Sequence, residues 1–198
     1  ITTGGSTMLY CGTYQAPPGF IRDELGIDLS EEVEQVRAET GVARLPDRFL
    51  EGCSLMLLEA AGKCGYHWEV LEKFIDPGAY RPGCSDCMMG CPRGAKWTSR
   101  VLVEDAVAQG ATLIQPVRVE EVTHRNGRAT GVRALRGAEL VSFEAPLVVV
   151  AAGGMGSAPI LNRSGVWSAG RGIFVDPLVL VSGIYAGDTP RAGTCYNP

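Results

Sequence analysis

Three cysteines close together in the sequence have the most specific chemistry. They lie in the stretch Cys84-Ser-Asp-Cys87-Met-Met-Gly-Cys91. Three thiolates with this spacing can bind a zinc ion or an iron–sulfur cluster, together with a fourth ligand. The candidates for that fourth ligand are Cys11, Cys53 and Cys64. The pair Cys84 and Cys87 is also spaced for redox activity. A tight loop of buried thiols without a ligand is the third interpretation, and the sequence leaves all three open.

Two glycine-rich segments have the composition of phosphate-binding turns. Gly4-Gly5-Ser6-Thr7 offers backbone amides and two hydroxyl groups. The apolar, β-branched run Leu147 to Ala152 predicts a strand buried on both faces, which leads into Gly153-Gly154 and then a helix. Amides at such a strand–glycine–helix junction can bind an anion. Taken alone, the strand–glycine–helix segment is equally typical of a tight crossover without a ligand. The Gly4–Thr7 segment is the weaker signal, because most Gly-Ser loops bind nothing.

The elements that position these groups are predicted to be helices first and strands later. Helical spacing and end signals predict helices over 30–39, 49–60, 67–75 and 98–109. After Gly110 the apolar period falls to two, which is typical of strands. A hairpin turn at Asn126-Gly127 then predicts a three-stranded antiparallel meander over 113–122, 129–135 and 140–144. The stretch 173–186 is also strand-like. The fold class is therefore α+β, or mixed α/β.

Together, these motifs resemble the glucose–methanol–choline (GMC) flavin oxidoreductases. Gly4 to Tyr10 is similar to the family's first signature, except that Tyr10 stands where the family has Asn or His. Ser157 to Val166 is similar to the second signature, and Val119 to Val132 resembles the hairpin between them. The cysteine stretch resembles the Cys-x-x-Cys-x-x-Gly-Cys-Pro segment of the long-chain (fatty) alcohol oxidase branch.

The resemblance implies an FAD-dependent enzyme that oxidises the CH–OH group of an alcohol by hydride transfer to flavin. It implies the middle part of a GMC-type FAD-binding fold, with the meander and the start of a substrate-domain sheet. The residues that it places near FAD are Gly4, Gly5, Ser6, Thr7, Tyr10, Val119, Ala152 and Gly153. The candidate metal ligands stay Cys84, Cys87 and Cys91.

Two parts of such an enzyme are not found in the sequence. No Gly-x-Gly-x-x-Gly follows a predicted strand, and neither His67 nor His124 has the surroundings of a catalytic base. No catalytic residue is therefore assigned. The expected partners are an alcohol and the remainder of the flavoenzyme chain or a complementary subunit. The alternative functions are a metal or iron–sulfur electron-transfer module and a non-catalytic interaction subunit of a split flavoenzyme.

The same reading predicts four parts along the chain. Residues 1–28 form an FAD-contacting loop, and 29–110 form a helical segment with the cysteine-rich loop 83–96. Residues 111–165 form the meander and the strand–helix part of the FAD domain, and 166–198 start the substrate domain.

Composition excludes several other classes of function. A net charge of −4 gives no basic surface for nucleic acid. The longest apolar run is too short to cross a bilayer. Seven cysteines cannot all pair within one chain, and no secretory signal is recognised, so we expect a cytoplasmic protein without a transmembrane segment.

Overall fold

The computed structural model describes residues 2–50, 52–81 and 86–175, together with 177, 179, 181, 183, 184, 186 and 187. The chain divides into two compact units, with the boundary between Ala111 and Thr112. The mixed α/β fold class is confirmed, because helices accompany two three-stranded antiparallel sheets. The division into four functional parts stays a prediction.

The first unit consists of helices and short turns around a small sheet. Its helices are α1 (Gly19–Asp23), α2 (Ser30–Thr40), α3 (Cys53–Lys63) and α4 (Arg100–Ala108). Its 3₁₀ turns are Gly5–Met8, Asp47–Phe49 and Asp86–Met89. The sheet has the order β1 (Thr13–Tyr14), β3 (Glu72–Lys73), β2 (Ala43–Arg44). The buried apolar side chains of this unit are Tyr14, Val42, Ala61, Ile75 and Ala95.

Helix α2 confirms the helix predicted over 30–39, and Asp28 binds its first residue. The Asp28 carboxylate accepts hydrogen bonds from the backbone N of Ser30 at 3.0 Å and from its hydroxyl at 2.5 Å. These bonds lower the pKa of Asp28. Gly41, in the left-handed region at φ 66°, ends the helix as expected.

The helix predicted over 67–75 is wrong. Glu72 and Lys73 form β3, the central strand of the small sheet, which pairs with both β1 and β2. The helical spacing of this segment is overridden by pairing with residues distant in sequence, a common outcome for short segments.

The second unit contains the predicted meander. Strands β4 (Arg118–Arg125), β5 (Arg128–Arg136) and β6 (Glu139–Glu144) pair antiparallel in that order. Asn126 and Gly127 connect β4 to β5 with φ values of 51° and 76°. Two-residue hairpin turns of type I′ require a positive φ at both central residues. Helix α5 (Gly153–Arg163) follows and confirms the predicted helix.

The buried strand predicted over 147–152 is wrong. No strand of the described residues pairs with this segment, and Leu147 and Val149 are 76% and 79% exposed. An apolar run becomes a buried strand only when neighbouring strands and helices cover it. The strand-like pattern over 173–186 falls partly outside the described residues, and 173–175 are not in a strand. None of the helices in the described part of the chain has the length and hydropathy needed to cross a membrane.

Candidate functional site

The glycine loop at the start of the first unit is held close to helix α4. Gly4 and Gly5 have φ values of 93° and 55°, a backbone that favours glycine. A Cβ on Gly4 would lie 3.1 Å from the backbone N of Arg100 and 3.2 Å from the sulfur of Met8. A Cβ on Gly5 would meet nothing within 4 Å. A side chain at position 4 would therefore crowd helix α4, whereas Gly5 lies exposed on the loop.

The Thr7 hydroxyl is used inside the protein. It accepts a hydrogen bond from the backbone N of Ser99 at 3.0 Å and donates to the carbonyl of Gly4 at 2.5 Å. The Ser99 hydroxyl donates to the same carbonyl at 2.9 Å. These bonds fasten the loop to the residue that precedes α4. Ser6, by contrast, is exposed. Both hydroxyl groups are predicted to face the cofactor. Ser6 is exposed to solvent, whereas the Thr7 hydroxyl is hydrogen-bonded within the protein and stabilises the loop.

Tyr10 packs within the first unit. Its hydroxyl donates to the carbonyl of Trp97 at 3.0 Å, and its ring centroid lies 6.1 Å from that of Phe74. Burial, with a smaller contribution from Cys87, raises the pKa of Tyr10 to about 12. The hydroxyl therefore stays protonated at neutral pH. A contact between Tyr10 and flavin stays a prediction.

Lys96 is a buried residue whose structural role the sequence analysis missed. It is only 4% exposed, and its Nζ donates to the carbonyl oxygens of Met8 (3.1 Å), Tyr10 (2.7 Å) and Cys87 (2.6 Å). Burial lowers the pKa of Lys96, and the nearby cysteines oppose this shift. Its ammonium group thus connects the cysteine segment to the glycine loop.

Main-chain pairing explains why Lys96 is buried. Residues Ile75 and Lys96 form an antiparallel bridge, and the backbone N of Trp97 donates to the carbonyl of Phe74 at 2.9 Å. This pairing continues the small sheet past β3. From the sequence, Lys96 is recognisable only as a positive charge near the cysteines. No local pattern predicts its contacts with Met8 and Tyr10.

A second lysine, Lys73 on β3, is also buried, with 3% exposure. Its Nζ donates to the hydroxyl of Thr13 at 3.1 Å. Burial lowers the pKa of Lys73, opposed by Cys11 and Cys87. Two positive groups therefore lie in the interior near these cysteines.

The described cysteines of the segment lie on tight backbone turns. Cys87 is in the turn Asp86–Met89, and Cys91 has a left-handed φ of 50°. The Cys91 sulfur accepts a hydrogen bond from the backbone N of Lys96 at 3.3 Å. Both cysteines border a small hollow beside Ile75 and Lys96.

Cys84 and the side chain of Cys53 lie outside the described residues. Within the described ranges, no group of three His, Cys, Asp or Glu side chains is placed to hold a metal ion. The hypothesis of zinc or an iron–sulfur cluster at Cys84, Cys87 and Cys91 stays a prediction.

In the second unit, three predicted cofactor residues lie on β4 and at the start of α5. Val119 on β4 pairs with Ala134 of β5. Ala152 precedes α5, and Gly153 begins it with a φ of 75° and nothing within 4 Å of a Cβ position. Ala152 and Gly153 are both exposed. The first amides of this helix are therefore accessible to an anionic group.

A serine missed by the sequence analysis fixes the other end of α5. The Ser164 hydroxyl accepts from the backbone N of Val122 at 2.8 Å and donates to the carbonyl of Ile160 at 2.7 Å. The ring of His124 lies 3.2 Å from the Ser164 carbonyl. His67 is in an exposed, non-helical stretch of the first unit.

The donor set in each unit fits the groups of a dinucleotide cofactor. Ser6 in one unit, and Ala152 and Gly153 in the other, lie exposed and have small side chains or none. The Gly5 amide is used within the loop, where it donates to the carbonyl of Thr2 at 3.0 Å. Amides at a helix start suit a phosphate.

Known proteins with similar sequences are described as oxidoreductases or as an oxidase. An uncharacterized GMC-type oxidoreductase of Mycobacterium tuberculosis strain CDC 1551 / Oshkosh is 31% identical over 200 residues, which cover 93% of this chain and 31% of that protein. A protein of the same description from strain ATCC 25618 / H37Rv has the same values. A long-chain-alcohol oxidase of Arabidopsis thaliana is 31% identical over 109 residues, covering 50% of this chain and 15% of that protein.

The chain thus spans 31% of the length of the mycobacterial relatives. The profile of the family described as GMC oxidoreductase matches residues 28–177. This match includes the cysteine segment, Val119 and the start of α5, whereas Gly4 to Tyr10 precede it. Because the profile covers more than half of the chain, the resemblance is confirmed, and the chain belongs to the GMC oxidoreductase family.

Proposed function

We propose that this chain is part of an FAD-dependent enzyme that oxidises the CH–OH group of an alcohol by hydride transfer to flavin. The observation that carries the proposal is the family match over residues 28–177, since GMC oxidoreductases typically use FAD. The similarity to a long-chain-alcohol oxidase favours an alcohol as the substrate. FAD, when bound, supplies the hydride acceptor.

The residues of this chain would hold the cofactor rather than react. The exposed backbone and hydroxyl of Ser6 would lie next to an anionic or carbonyl oxygen of the cofactor, and Gly5, whose amide donates to the carbonyl of Thr2, would shape the turn. The start of α5 at Ala152 and Gly153 offers a second set, in which the helix dipole favours a phosphate. Val119 would contribute its backbone, because its side chain is half-buried in the meander.

The two ends of α5 provide a matched experiment. Gly153 and Gly165 lie at the start and just beyond the end of this helix, both with positive φ and open space around a Cβ. Alanine therefore strains the backbone at both positions. We expect Gly153→Ala, in the natural protein with its flanking sequence, to raise the dissociation constant for FAD roughly tenfold, equivalent to about 1.4 kcal/mol. Gly165→Ala should leave it unchanged.

Flavin absorbance and fluorescence titration measure this difference. A natural protein that binds no FAD would contradict the proposal. Equal dissociation constants for the two variants would contradict the role of Gly153.

The glycine loop allows the same comparison in the first unit. Gly5 and Gly65 have positive φ and no atom within 4 Å of a Cβ position. We expect Gly5→Ala to weaken FAD binding and Gly65→Ala to leave it unchanged, measured by the same titration. Unchanged binding in Gly5→Ala would remove the loop from the site.

We also propose a cytoplasmic location and, as partners, the alcohol and the remainder of the flavoenzyme. Seven cysteines cannot all pair within the chain, which supports a reducing compartment. Fractionation of the source cells, followed by immunodetection, tests the location.

A further inference from the structure

The buried ammonium group of Lys96 joins two segments that are far apart in sequence. Two of its carbonyl partners, Met8 and Tyr10, follow the glycine loop directly. The third, Cys87, is in the 3₁₀ turn of the cysteine segment. In the sequence, Met8 and Tyr10 lie 88 and 86 residues from Lys96, and Cys87 lies 9 residues from it. Lys96 therefore fixes the end of the loop against a separate part of the first unit.

An ammonium group suits this position better than other side chains do. It has three donors and no acceptor, and three carbonyl oxygens surround it. The face of the Tyr10 ring, with its centroid 4.8 Å from Nζ, adds a favourable contact with the positive charge. A neutral side chain would leave buried carbonyl groups without a donor, which is costly.

The other end of the loop is fixed independently. Thr7 and Ser99 bind the carbonyl of Gly4, as described above. Gly5 and Ser6 lie between this attachment and the attachment to Lys96, and both are exposed. The backbone of the exposed pair is thus held from both sides, which is the arrangement that pre-organises a binding loop.

We propose that Lys96 is a positioning residue, which ties the end of the Gly4–Thr7 loop to the cysteine segment and so keeps the loop in its cofactor-binding shape. The part of this proposal that concerns the cofactor rests on the proposed function. The tie itself is a property of the protein without a ligand.

The test compares Lys96→Met with Lys73→Met in the natural protein. Both variants remove a buried lysine of the first unit, but Lys73 donates to Thr13, which is neither in the Gly4–Thr7 loop nor among the partners of Lys96. Hydrogen exchange is measured at the amides of Gly5 and Leu9, which donate to the carbonyls of Thr2 and Ser6. FAD affinity is measured in parallel by fluorescence titration.

We expect Lys96→Met to speed exchange at Gly5 and Leu9 and to weaken FAD binding roughly tenfold. Lys73→Met should change neither, even where it lowers the melting temperature by a similar amount. Equal exchange rates in the two variants would overturn the tie. Faster exchange in Lys96→Met with unchanged FAD affinity would overturn its role in cofactor binding.

A second variant covers the case in which Lys96→Met does not fold. Lys96→Arg keeps the charge, but the planar guanidinium does not bring three donors to one point. We expect it to fold and to show faster exchange at Leu9. Full protection together with full FAD affinity in this variant would overturn the proposal. A wild-type protein that binds no flavin would refute the proposed function, and the exchange rates would then decide the tie alone.

Discussion

At the scale of single residues, the interior of the first unit contains charged and ionisable groups instead of a purely apolar core. Lys73 and Lys96 are buried with hydrogen bonds to neutral oxygen atoms, and Tyr10 lies beside Lys96. Buried lysines are rare unless their donors are satisfied. Burial raises the pKa of Tyr10 and lowers the pKa of both lysines. The shift of Tyr10 can be measured by titration.

Tyr10 is expected to ionise late. Its pKa is raised from 10.0 to about 12, mainly by burial. Between these pH values the unfolded chain loses the Tyr10 proton while the folded chain keeps it, so the free energy of unfolding falls as the pH rises through this window. Tyr10→Phe should remove both the late step in tyrosinate absorbance and this part of the alkaline destabilisation.

Tyr66→Phe, at an exposed position, is the control and should leave the late step in place. A late step that persists in Tyr10→Phe would contradict the assignment to Tyr10.

At the scale of elements, turns and tight contacts decide how the meander pairs. The Asn126-Gly127 turn sets the β4–β5 register, in which Arg125 pairs with Arg128. Gly131 lies opposite Glu144 in the β5–β6 pair, with a φ of 154°. A Cβ at Gly131 would clash with the carbonyl of Phe143 and lie 2.9 Å from the Cα of Glu144. This strand pair therefore depends on a glycine.

Gly131→Ala is expected to lower the free energy of unfolding by about 3 kcal/mol, because the backbone of β6 must move and the new side chain is strained. Gly137→Ala is the control, since Gly137 also has a positive φ but nothing within 4 Å of a Cβ position. It should cost about 1 kcal/mol. Urea unfolding measures both values, and equal losses would contradict the clash at β6.

The junction between β4 and α5 depends on Ser164. Ser164→Ala leaves the backbone N of Val122 without its hydrogen-bond acceptor, which is expected to cost about 1–3 kcal/mol of stability. Ser142→Ala, at an exposed position on β6, is the control and should change stability little. A thermal unfolding experiment in which the two variants behave alike would show that the junction does not need this hydroxyl.

At the scale of the whole molecule, the chain is one part of a larger architecture in its relatives. It spans 31% of the length of the mycobacterial proteins. In the apolar segment 147–150, Leu147 and Val149 are exposed, and no strand among the described residues pairs with the segment. Each unit nevertheless has its own main-chain pairing and exposed glycine-rich backbone.

The natural protein, purified without oxygen, is expected to show the absorption spectrum of a bound flavin. Iron and zinc analysis on the same sample tests the cysteine segment. Flavin without a metal would favour packing of the thiols or a redox-active pair of Cys84 and Cys87. Two or more equivalents of iron with broad visible absorbance would favour an iron–sulfur cluster at the cysteine segment. A sample with neither would contradict the proposed function.

The sequence by itself determined the elements whose signals are local. Helix α2 has acidic residues in its first turn and a left-handed glycine at its end. The hairpin at Asn126-Gly127 has a turn type that these residues favour. Helix α5 begins with a glycine pair. Helices and tight turns depend on residues within about four positions of each other, so local patterns are sufficient to predict them.

Only the tertiary structure decided burial and strand pairing. Residues 72–73 form a strand because β1 and β2 lie beside them. Leu147 and Val149 are exposed because no strand among the described residues pairs with their segment. Lys96 is buried because Ile75 pairs with it and because the carbonyls of residues near the start of the chain surround it. Such contacts join residues tens of positions apart, and local periodicity contains no information about the partner.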